Sequence, residues 1–185
     1  MTLASKALKH YPASRPLTAD QVTEFHAARL LLLLYLCGTK GRIVGLTKLA
    51  KLDFFVRYPD FFQRASKLLE HKTEAEPTGT TESAMVRHHY GPWDPRYYQI
   101  LGYLEGRELI KVEREKKTFV FSLAKPGLAA AKKLAADPAY QDLCEHMRSV
   151  KKLLGDEKGD DLKKLVYELF DREVAQLPMG TVIRP

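Results

Sequence analysis

The residues best suited to chemistry are cations gathered in the middle of the chain. Residues 85–134 contain ten Lys and Arg against five Asp and Glu, so +5 of the formal net charge of +7 lies there. Arg96 and Gln99 carry guanidinium and amide groups, which can form paired hydrogen bonds with the edges of DNA bases. Five further cations suit backbone phosphates: Arg107, Lys111, Arg114, Lys116 and Lys117. The sequence therefore predicts a surface for a polyanion, although solvated lysines on an ordinary basic protein explain the charge equally well.

Acidic and aromatic residues in the same stretch favour a different partner. Four glutamates alternate with the cations and would repel a DNA backbone: Glu105, Glu108, Glu113 and Glu115. Tyr98 and Tyr103 offer aromatic rings, which suit a protein contact as well as a base contact. These residues favour a docking surface with phosphate-level DNA contact over sequence-specific base reading.

Residues able to support catalysis or to bind a metal do not form a recognisable set. His88 and His89 are adjacent, so in a strand their side chains would point to opposite faces and would not readily share one metal ion. His146 lies close to Cys144, but no zinc-binding spacing surrounds them. The sequence also contains no glycine-rich phosphate loop and no nucleophile motif. We therefore predict a non-catalytic protein without cofactor or metal.

The elements that would carry the cations are a helix followed by a hairpin. A helix over residues 95–107 would have one apolar face, made of Tyr97, Ile100, Leu101 and Leu104. Asp94 suits its N-cap, and Pro95 suits its first helical position. Apolar residues then alternate on both sides of a charged turn, as in a β-hairpin: Ile110, Val112, Phe119, Phe121 and Leu123. The predicted fold class is mostly α with a small β-hairpin wing, a winged helix-turn-helix followed by C-terminal helices.

Helices are also predicted before this unit. Residues 18–37 form the first helix, which is apolar nearly all round in its second half. A second helix begins at Thr47 and contains Asp53 and Arg57 as an i,i+4 pair. We expect its cations to form a solvated face: Lys48, Lys51 and Arg57. A short helix then runs from Asp60 to about Glu70.

Composition divides the chain into three parts. Residues 1–17 are predicted to be a flexible basic arm, residues 18–134 a winged-helix domain, and residues 135–185 a C-terminal helical extension and tail. A polar insertion near residues 71–83 separates the two helices of the presumed helix-turn-helix, which departs from a minimal DNA reader.

The cysteines and the apolar runs indicate a compartment. The two cysteines each lie in an apolar helical stripe, which predicts buried thiols in a reducing cytosol. The longest apolar run, residues 30–37, is too short to span a membrane, and the N-terminus lacks the order of a signal peptide. We predict a cytoplasmic protein with no membrane partner.

Two motifs taken together resemble a known family. They are TKLAKLDFFVRYP, beginning at Thr47, and YGPWDPRYYQILGYLEGRELIKV followed by FSLAKPG, beginning at Tyr90. This pattern, over residues 43–130, resembles the winged-helix middle component of bacterial three-component ABC-ATPase defence systems of the Lamassu type, and more distantly MarR-like winged-helix proteins. Within it, Glu108 stands where a glycine commonly precedes the wing strand, and Ala124 stands where a Ser or Thr usually caps a helix.

The resemblance implies a non-catalytic adaptor that couples an SMC/Rad50-like ABC ATPase to an effector, such as a nuclease, in an antiviral complex. It implies partner contacts for three tyrosines and for the last helix: Tyr97, Tyr98, Tyr103, Leu162, Leu165 and Leu169. Double-stranded DNA is a further expected partner. The alternative is a MarR-like dimeric transcription regulator, in which the C-terminal helices form the dimer. An adjacent ATPase gene would favour the adaptor.

Overall fold

A computed structural model of the chain describes residues 21–70 and 84–184. The predicted basic arm and the insertion at residues 71–83 therefore lie outside the described residues. The helices are α1 (Thr23–Leu36), α2 (Leu46–Arg57), α3 (Pro59–Glu70), α4 (Tyr97–Gly106), α5 (Lys125–Ala136), α6 (Gln141–Leu154) and α7 (Gly159–Leu169). The strands are β1 (Arg42–Val44), β2 (Val86–His88), β3 (Gly91–Trp93), β4 (Ile110–Glu115) and β5 (Thr118–Leu123). This confirms a mostly helical fold with a small antiparallel sheet.

Three strands form an antiparallel sheet in the order β1-β5-β4. Phe121 lies at its centre, opposite Ile43 on one side and Val112 on the other. β4 and β5 are consecutive in sequence and turn at Lys116, which has a φ of 56°. The hairpin predicted from the apolar alternation is therefore confirmed. Its buried residues pack the sheet against the helices.

A second hairpin, formed by β2 and β3, is not indicated by the sequence pattern. Arg87 lies opposite Pro92 in this short antiparallel pair. Gly91 has a φ of 93°, and a Cβ at this position would come within 3.3 Å of the Cε atom of Lys51. Glycine is required there by the backbone conformation and by the close approach of α2. Strands of three residues are too short to produce a recognisable alternation.

One hydrophobic core runs through the described residues. Leu30, Leu32, Leu33 and Leu34 of α1 are fully buried at its centre. Among the C-terminal helices, α6 packs against α1 and α2, and α7 packs against α2. Their buried stripes consist of Cys144, Met147, Val150, Leu154, Leu162 and Val166. Residues before and after position 134 therefore contribute to the same core.

α4 begins at Tyr97, two residues later than the sequence predicts. Asp94 explains the difference, because its Oδ1 atom accepts a hydrogen bond from the backbone N–H of Arg96 at 2.9 Å. This bond holds Pro95 and Arg96 in a turn that leads into the helix.

The prediction of a solvated cationic face on α2 is wrong. Lys51 is 1% exposed and Arg57 is 0% exposed. Lys48 is half-buried and donates a hydrogen bond to the carbonyl oxygen of Gly155 at 2.7 Å. α2 is covered on several sides by α1, α7 and β3, so its cations meet acceptors inside the protein instead of water.

The backbone between α4 and β4 explains why a glycine is common at the position of Glu108. Glu108 has a φ of 56°, in the left-handed region that favours glycine. A Cβ at Gly127 would lie 1.8 Å from the carbonyl oxygen of Leu109, so α5 rests directly on the backbone of this junction. Ala124, at the N-cap of α5, makes no side-chain capping bond.

Cys37 and Cys144 are free and buried, as predicted. Burial raises the pKa of the Cys37 thiol to about 12, which keeps it protonated and unreactive at neutral pH. Within residues 21–70 and 84–184, no helix combines the length and the apolar character that crossing a membrane requires.

Candidate partner-docking site

Asp53 is the first of two buried carboxylates that organise the charged residues of the helices. It accepts hydrogen bonds from Arg29 Nε at 2.8 Å and from the hydroxyl of Tyr97 at 2.7 Å. Arg57 Nη1 lies 3.5 Å from the same carboxylate. Burial alone would raise the pKa of Asp53, but the charges of Arg29 and Arg57 hold it below its ordinary value. Asp53 is therefore ionised inside the protein.

Asp94 is the second buried carboxylate. Its Oδ2 atom accepts hydrogen bonds from Arg57 Nη1 and Arg96 Nη2, each at 2.8 Å. Its Oδ1 atom accepts a bond from Arg96 Nε at 2.9 Å, so Arg96 binds the carboxylate in a bidentate manner. Burial opposes ionisation, but the hydrogen bonds from Arg96 and the charge of Arg57 keep the pKa of Asp94 well below its usual range.

His26 of α1 connects the two buried carboxylates. Its buried ring places Nδ1 2.9 Å from Arg29 Nη1 and Nε2 2.8 Å from Arg96 Nη1. We define the buried ion network as His26, Arg29, Asp53, Arg57, Asp94, Arg96 and Tyr97. Each buried polar group left unpaired costs about 1–3 kcal/mol, so breaking the contacts of these side chains would be costly. The network therefore fixes α4 and the turn before it against α1 and α2.

An aromatic surface lies on the outer side of this network. We define the aromatic face as His88, Tyr90, Trp93 and Tyr98. Tyr98 is 70% exposed and Tyr90 is 59% exposed. Trp93 stacks on His88 with ring centres 5.5 Å apart, and its ring centre lies 5.8 Å from that of Tyr98. Trp93 also contacts the buried ring of Tyr97 at 5.0 Å, so the exposed rings rest on a residue of the network.

A cavity of about 290 Å³ opens between the aromatic face and the first turns of α2. Tyr90 and Tyr98 lie at its exposed side, and buried Lys51 lies at its inner side. Lys51 Nζ donates a hydrogen bond to the carbonyl oxygen of Pro92 at 3.1 Å. Burial, together with the charges of Lys163 and Arg87, lowers the pKa of Lys51 to about 7. The charge of this amine therefore changes near neutral pH.

The hairpin of β4 and β5 carries cations in a mixed electrostatic environment. The predicted phosphate-binding residues on this hairpin are exposed: Lys111, Arg114, Lys116 and Lys117. Glu115 forms an ion pair with Arg42, and Glu105, Glu108 and Glu113 line an open groove beside Lys111. Lys116 and Lys117, at the turn, are therefore the cations best placed to contact a phosphate without repulsion from these glutamates.

The structure separates the residues predicted to read bases. The guanidinium of Arg96 is occupied by Asp94 and His26, so it does not point to a base edge as predicted. Gln99 is exposed on α4. The guanidinium of Arg107 lies 4.7 Å from the centre of the Tyr103 ring. Of the two residues predicted to read bases, Gln99 is therefore the one left available, while Arg107 is predicted to bind phosphate.

The predicted partner contacts also divide into two groups. Tyr97 and Leu162 are 0% exposed, so the prediction that they contact a partner is corrected: they belong to the core. Tyr103 is half-buried, and its hydroxyl donates to Glu24 at 3.3 Å. Leu165 and Leu169 are half-buried against the core. Tyr98 is the most accessible of the residues predicted to touch a partner.

Sequence reasoning missed the buried ion network, Lys51 and Trp93. A signal for the network is present, because Arg29 directly precedes five leucines and Asp53 directly precedes two phenylalanines. A single charge inside an otherwise apolar helical run predicts a buried partner of opposite charge. The partner itself depends on the tertiary arrangement.

Comparison with known proteins assigns no family. A scan against protein-family models and searches of curated proteins and of solved structures each found no match. In the part of the chain that the structure describes, no group of three or more His, Cys, Asp or Glu side chains is arranged to hold a metal ion. The surfaces of this chain are therefore the basis for a functional proposal.

Proposed function

We propose that the chain is a non-catalytic winged-helix adaptor that docks a partner protein through the aromatic face. In the family that the sequence resembles, that partner is an SMC/Rad50-like ABC ATPase, which acts with an effector in bacterial antiviral defence. The observation that carries the proposal is the exposure of Tyr98 on α4 and of Tyr90, which lines the same cavity, while α4 contains no Lys or Arg. A helix that reads DNA bases would be expected to present cations as well as amides, and α4 exposes only the amide of Gln99.

The order of helices and strands supports a winged-helix fold. In this interpretation α1, α2 and α4 are the three helices of the motif, the sheet is β1-β5-β4, and β4 and β5 form the wing. α3 and the β2–β3 hairpin then lie between the second and third helices, where a minimal motif has a short turn. The inserted hairpin brings Tyr90 and Trp93 beside α4 and enlarges its aromatic surface.

The aromatic face differs from the single exposed apolar residues of an ordinary soluble protein because its rings are clustered. Single exposed apolar residues are normal on a soluble protein. Here the Trp93 ring contacts His88, Tyr97 and Tyr98, and Tyr90 lines the same cavity. Tyr and Trp in such positions are typical of interface hot spots, where truncation costs about 2 kcal/mol or more of binding free energy.

DNA contact, in this proposal, is confined to phosphates at the wing. Arg114, Lys116 and Lys117 are exposed around the turn between β4 and β5. Cations on a hairpin tip neutralise phosphates without reading sequence.

Co-expression of the chain with the proteins encoded by its neighbouring genes tests the adaptor function. Size-exclusion chromatography with native mass spectrometry should give a stable hetero-complex that contains the ATPase. A lone homodimer that shifts one particular duplex in the presence of competitor DNA would overturn the adaptor in favour of a regulator.

A MarR-like dimeric regulator is the second candidate, and the exposed cations of the wing favour it. The C-terminal helices argue against it, because α6 and α7 bury their apolar stripes within the chain's own core. Those stripes leave little apolar surface for a dimer of the MarR type. The size-exclusion experiment separates the two candidates by stoichiometry.

A further inference from the structure

We propose that the cavity beside Lys51 receives a single acidic side chain, Asp or Glu, presented by the partner protein. The proposal rests on the adaptor function and names the chemistry of the group that the partner inserts. The cavity lining, the charges around Lys51 and the aromatic rim each support it.

The lining of the cavity combines basic and apolar groups. Lys51 and His88 are its basic residues, and Leu46, Ala50, Pro92 and Trp93 supply apolar surface. The described residues that line it include neither Asp nor Glu. Lys51 donates one hydrogen bond, to Pro92, whereas an ammonium group has three hydrogens to donate. A carboxylate that enters the cavity can therefore accept hydrogen bonds from the remaining hydrogens.

The charged groups acting on Lys51 are cations from two other elements. Besides burial, the larger effect, Lys163 of α7 and Arg87 of β2 lower its pKa. Burial also lowers the pKa of His88, with further contributions from His89, Arg87 and Lys51. Arg87 Nε is itself buried without a hydrogen-bond partner among the described residues. The region is thus electropositive, and an entering anion would offset that potential.

Packing alone does not account for a lysine at this position. A buried amine without a counter-ion destabilises the folded state, and methionine would fill similar space without that penalty. A carboxylate from a partner would convert Lys51 into one half of a hydrogen-bonded ion pair.

The size and charge of the cavity favour one protein side chain over a nucleic acid. Lys51 supplies a single buried cation, which matches a monoanion, whereas a nucleic-acid strand requires a track of cations for successive phosphates. Trp93 and the rim tyrosines can pack against the aliphatic stem of a Glu and against its apolar neighbours. The rim thus resembles the protein-facing hot spots described above.

Trp93 is the only tryptophan of the chain, so its fluorescence reports on this cavity directly. The full chain would be titrated with a short acetylated and amidated peptide that contains Glu beside Leu, and with the same peptide carrying Gln. We expect a saturable change in Trp93 emission and a preference of about tenfold or more for the Glu peptide, because a hydrogen bond to a charged group is the stronger one. Inorganic phosphate and an oligothymidylate are the competing probes.

Lys51→Met is the decisive variant, and Lys132→Met is its matched control. Lys51→Met should fold, with a melting temperature no lower than that of the wild type, and should lose the preference for Glu over Gln. Lys132→Met removes an exposed lysine of α5 outside the cavity lining and should retain the preference. No saturable change with the Glu peptide, or a preference that survives in Lys51→Met, overturns the proposal. Tighter binding of oligothymidylate than of the Glu peptide, dependent on Lys51, overturns it in favour of a nucleic-acid site.

Co-purification with the neighbouring ATPase separates this proposal from the adaptor function. If Tyr98→Ala loses the complex while Lys51→Met retains it at wild-type affinity, the acidic-anchor pocket is overturned and the adaptor function stands. If the wild type forms no complex, the adaptor function fails, and with it the assignment of the pocket to a partner, whatever the peptides show.

Discussion

Tyr97 donates its hydroxyl hydrogen to Asp53 at 2.7 Å, and both side chains are fully buried. This bond joins the first turn of α4 to the middle of α2. Its neighbour Tyr98 is 70% exposed, so this bond anchors the turn of α4 that carries the ring we assign to a partner. The orientation of the docking surface is thus determined by a charged network beneath it.

Tyr97→Phe should destabilise the protein by about 1–3 kcal/mol, because it removes a hydrogen bond to a buried ionised carboxylate and keeps the ring. Chemical denaturation, with the free energy extrapolated to water, measures the change. Tyr35→Phe is the control, since Tyr35 of α1 is half-buried and its hydroxyl makes no hydrogen bond within the described residues. Equal effects of the two substitutions would contradict the role of the Tyr97 bond.

Lys51→Met should stabilise the protein by about 1–3 kcal/mol at neutral pH, because it removes an uncompensated buried amine. Lys48→Met should not stabilise to the same extent, because Lys48 is only half-buried and donates a hydrogen bond to Gly155. Thermal and urea unfolding of the two variants check the contrast. A loss of stability in Lys51→Met would mean that the amine contributes to packing or bonding beyond its hydrogen bond to Pro92.

The stability of the wild type should depend on pH through Lys51. The pKa of this group is about 7 in the folded chain, against an ordinary value of 10.5 in the unfolded chain. Between these values the unfolded state binds a proton that the folded state does not, so the stability contributed by this group rises with pH across the window. Below about pH 7 the penalty for burying the charge is complete.

Urea unfolding of the wild type and of Lys51→Met at several pH values tests this dependence. Arg87 and Lys163, the cations that act on Lys51, are present in both proteins. The stability advantage of the variant should therefore shrink as the pH rises from about 7 toward about 10. A constant difference across that range would contradict the pKa shift.

Two glycines should respond to alanine in opposite directions. Gly127→Ala should destabilise by several kcal/mol, or prevent folding, because the new Cβ would lie 1.8 Å from the carbonyl oxygen of Leu109. Gly102→Ala should stabilise by about 1 kcal/mol, because nothing lies within 4 Å of its Cβ position and alanine is the better helix former. Circular dichroism melts of both variants give the comparison. Tolerance of Gly127→Ala would show that α5 does not rest on Leu109.

Charge reversal at the turn between β4 and β5 tests the proposed DNA contact. Lys116→Glu with Lys117→Glu should reduce the slope of log affinity against log salt by about one for each phosphate that the wing no longer neutralises. Lys132→Glu with Lys133→Glu, on α5, is the control of equal charge. Fluorescence anisotropy with one duplex over a salt series measures both slopes. An equal reduction in the two variants would assign the effect to net charge and not to the wing.

The sequence pattern predicts the helices and the β4–β5 hairpin well where an apolar period is long. The pattern does not predict burial where contacts with other helices and strands cover a polar helix face. Arg57 and Lys51 occupy the side of α2 that looks solvated from the helical period alone, and they are buried because α1, α7 and β3 cover that helix. A single sequence does not reveal which elements will cover a given helix face.

The sequence also fails to predict which residues form the candidate docking site. Tyr97 and Tyr98 are adjacent and chemically identical, yet one is buried and the other is the most exposed aromatic of the surface. The helical period places Tyr97 on the apolar face of α4, and its assignment to a partner comes from the family resemblance. Trp93 and Lys51 come together only through the β2–β3 hairpin, whose strands are too short for a periodic signal.

The affinity of the chain for the proposed partner, an SMC/Rad50-like ABC ATPase, tests the central claim most directly when it is measured by calorimetry or interferometry. We predict that Tyr98→Ala weakens binding at least about tenfold, as expected for a hot-spot tyrosine, without a change in thermal stability. Phe119→Ala, which removes a ring that is 49% exposed on β5 outside the aromatic face, should bind like the wild type. Equal affinities for the wild type and Tyr98→Ala, or no binding by the wild type, would contradict docking through the aromatic face.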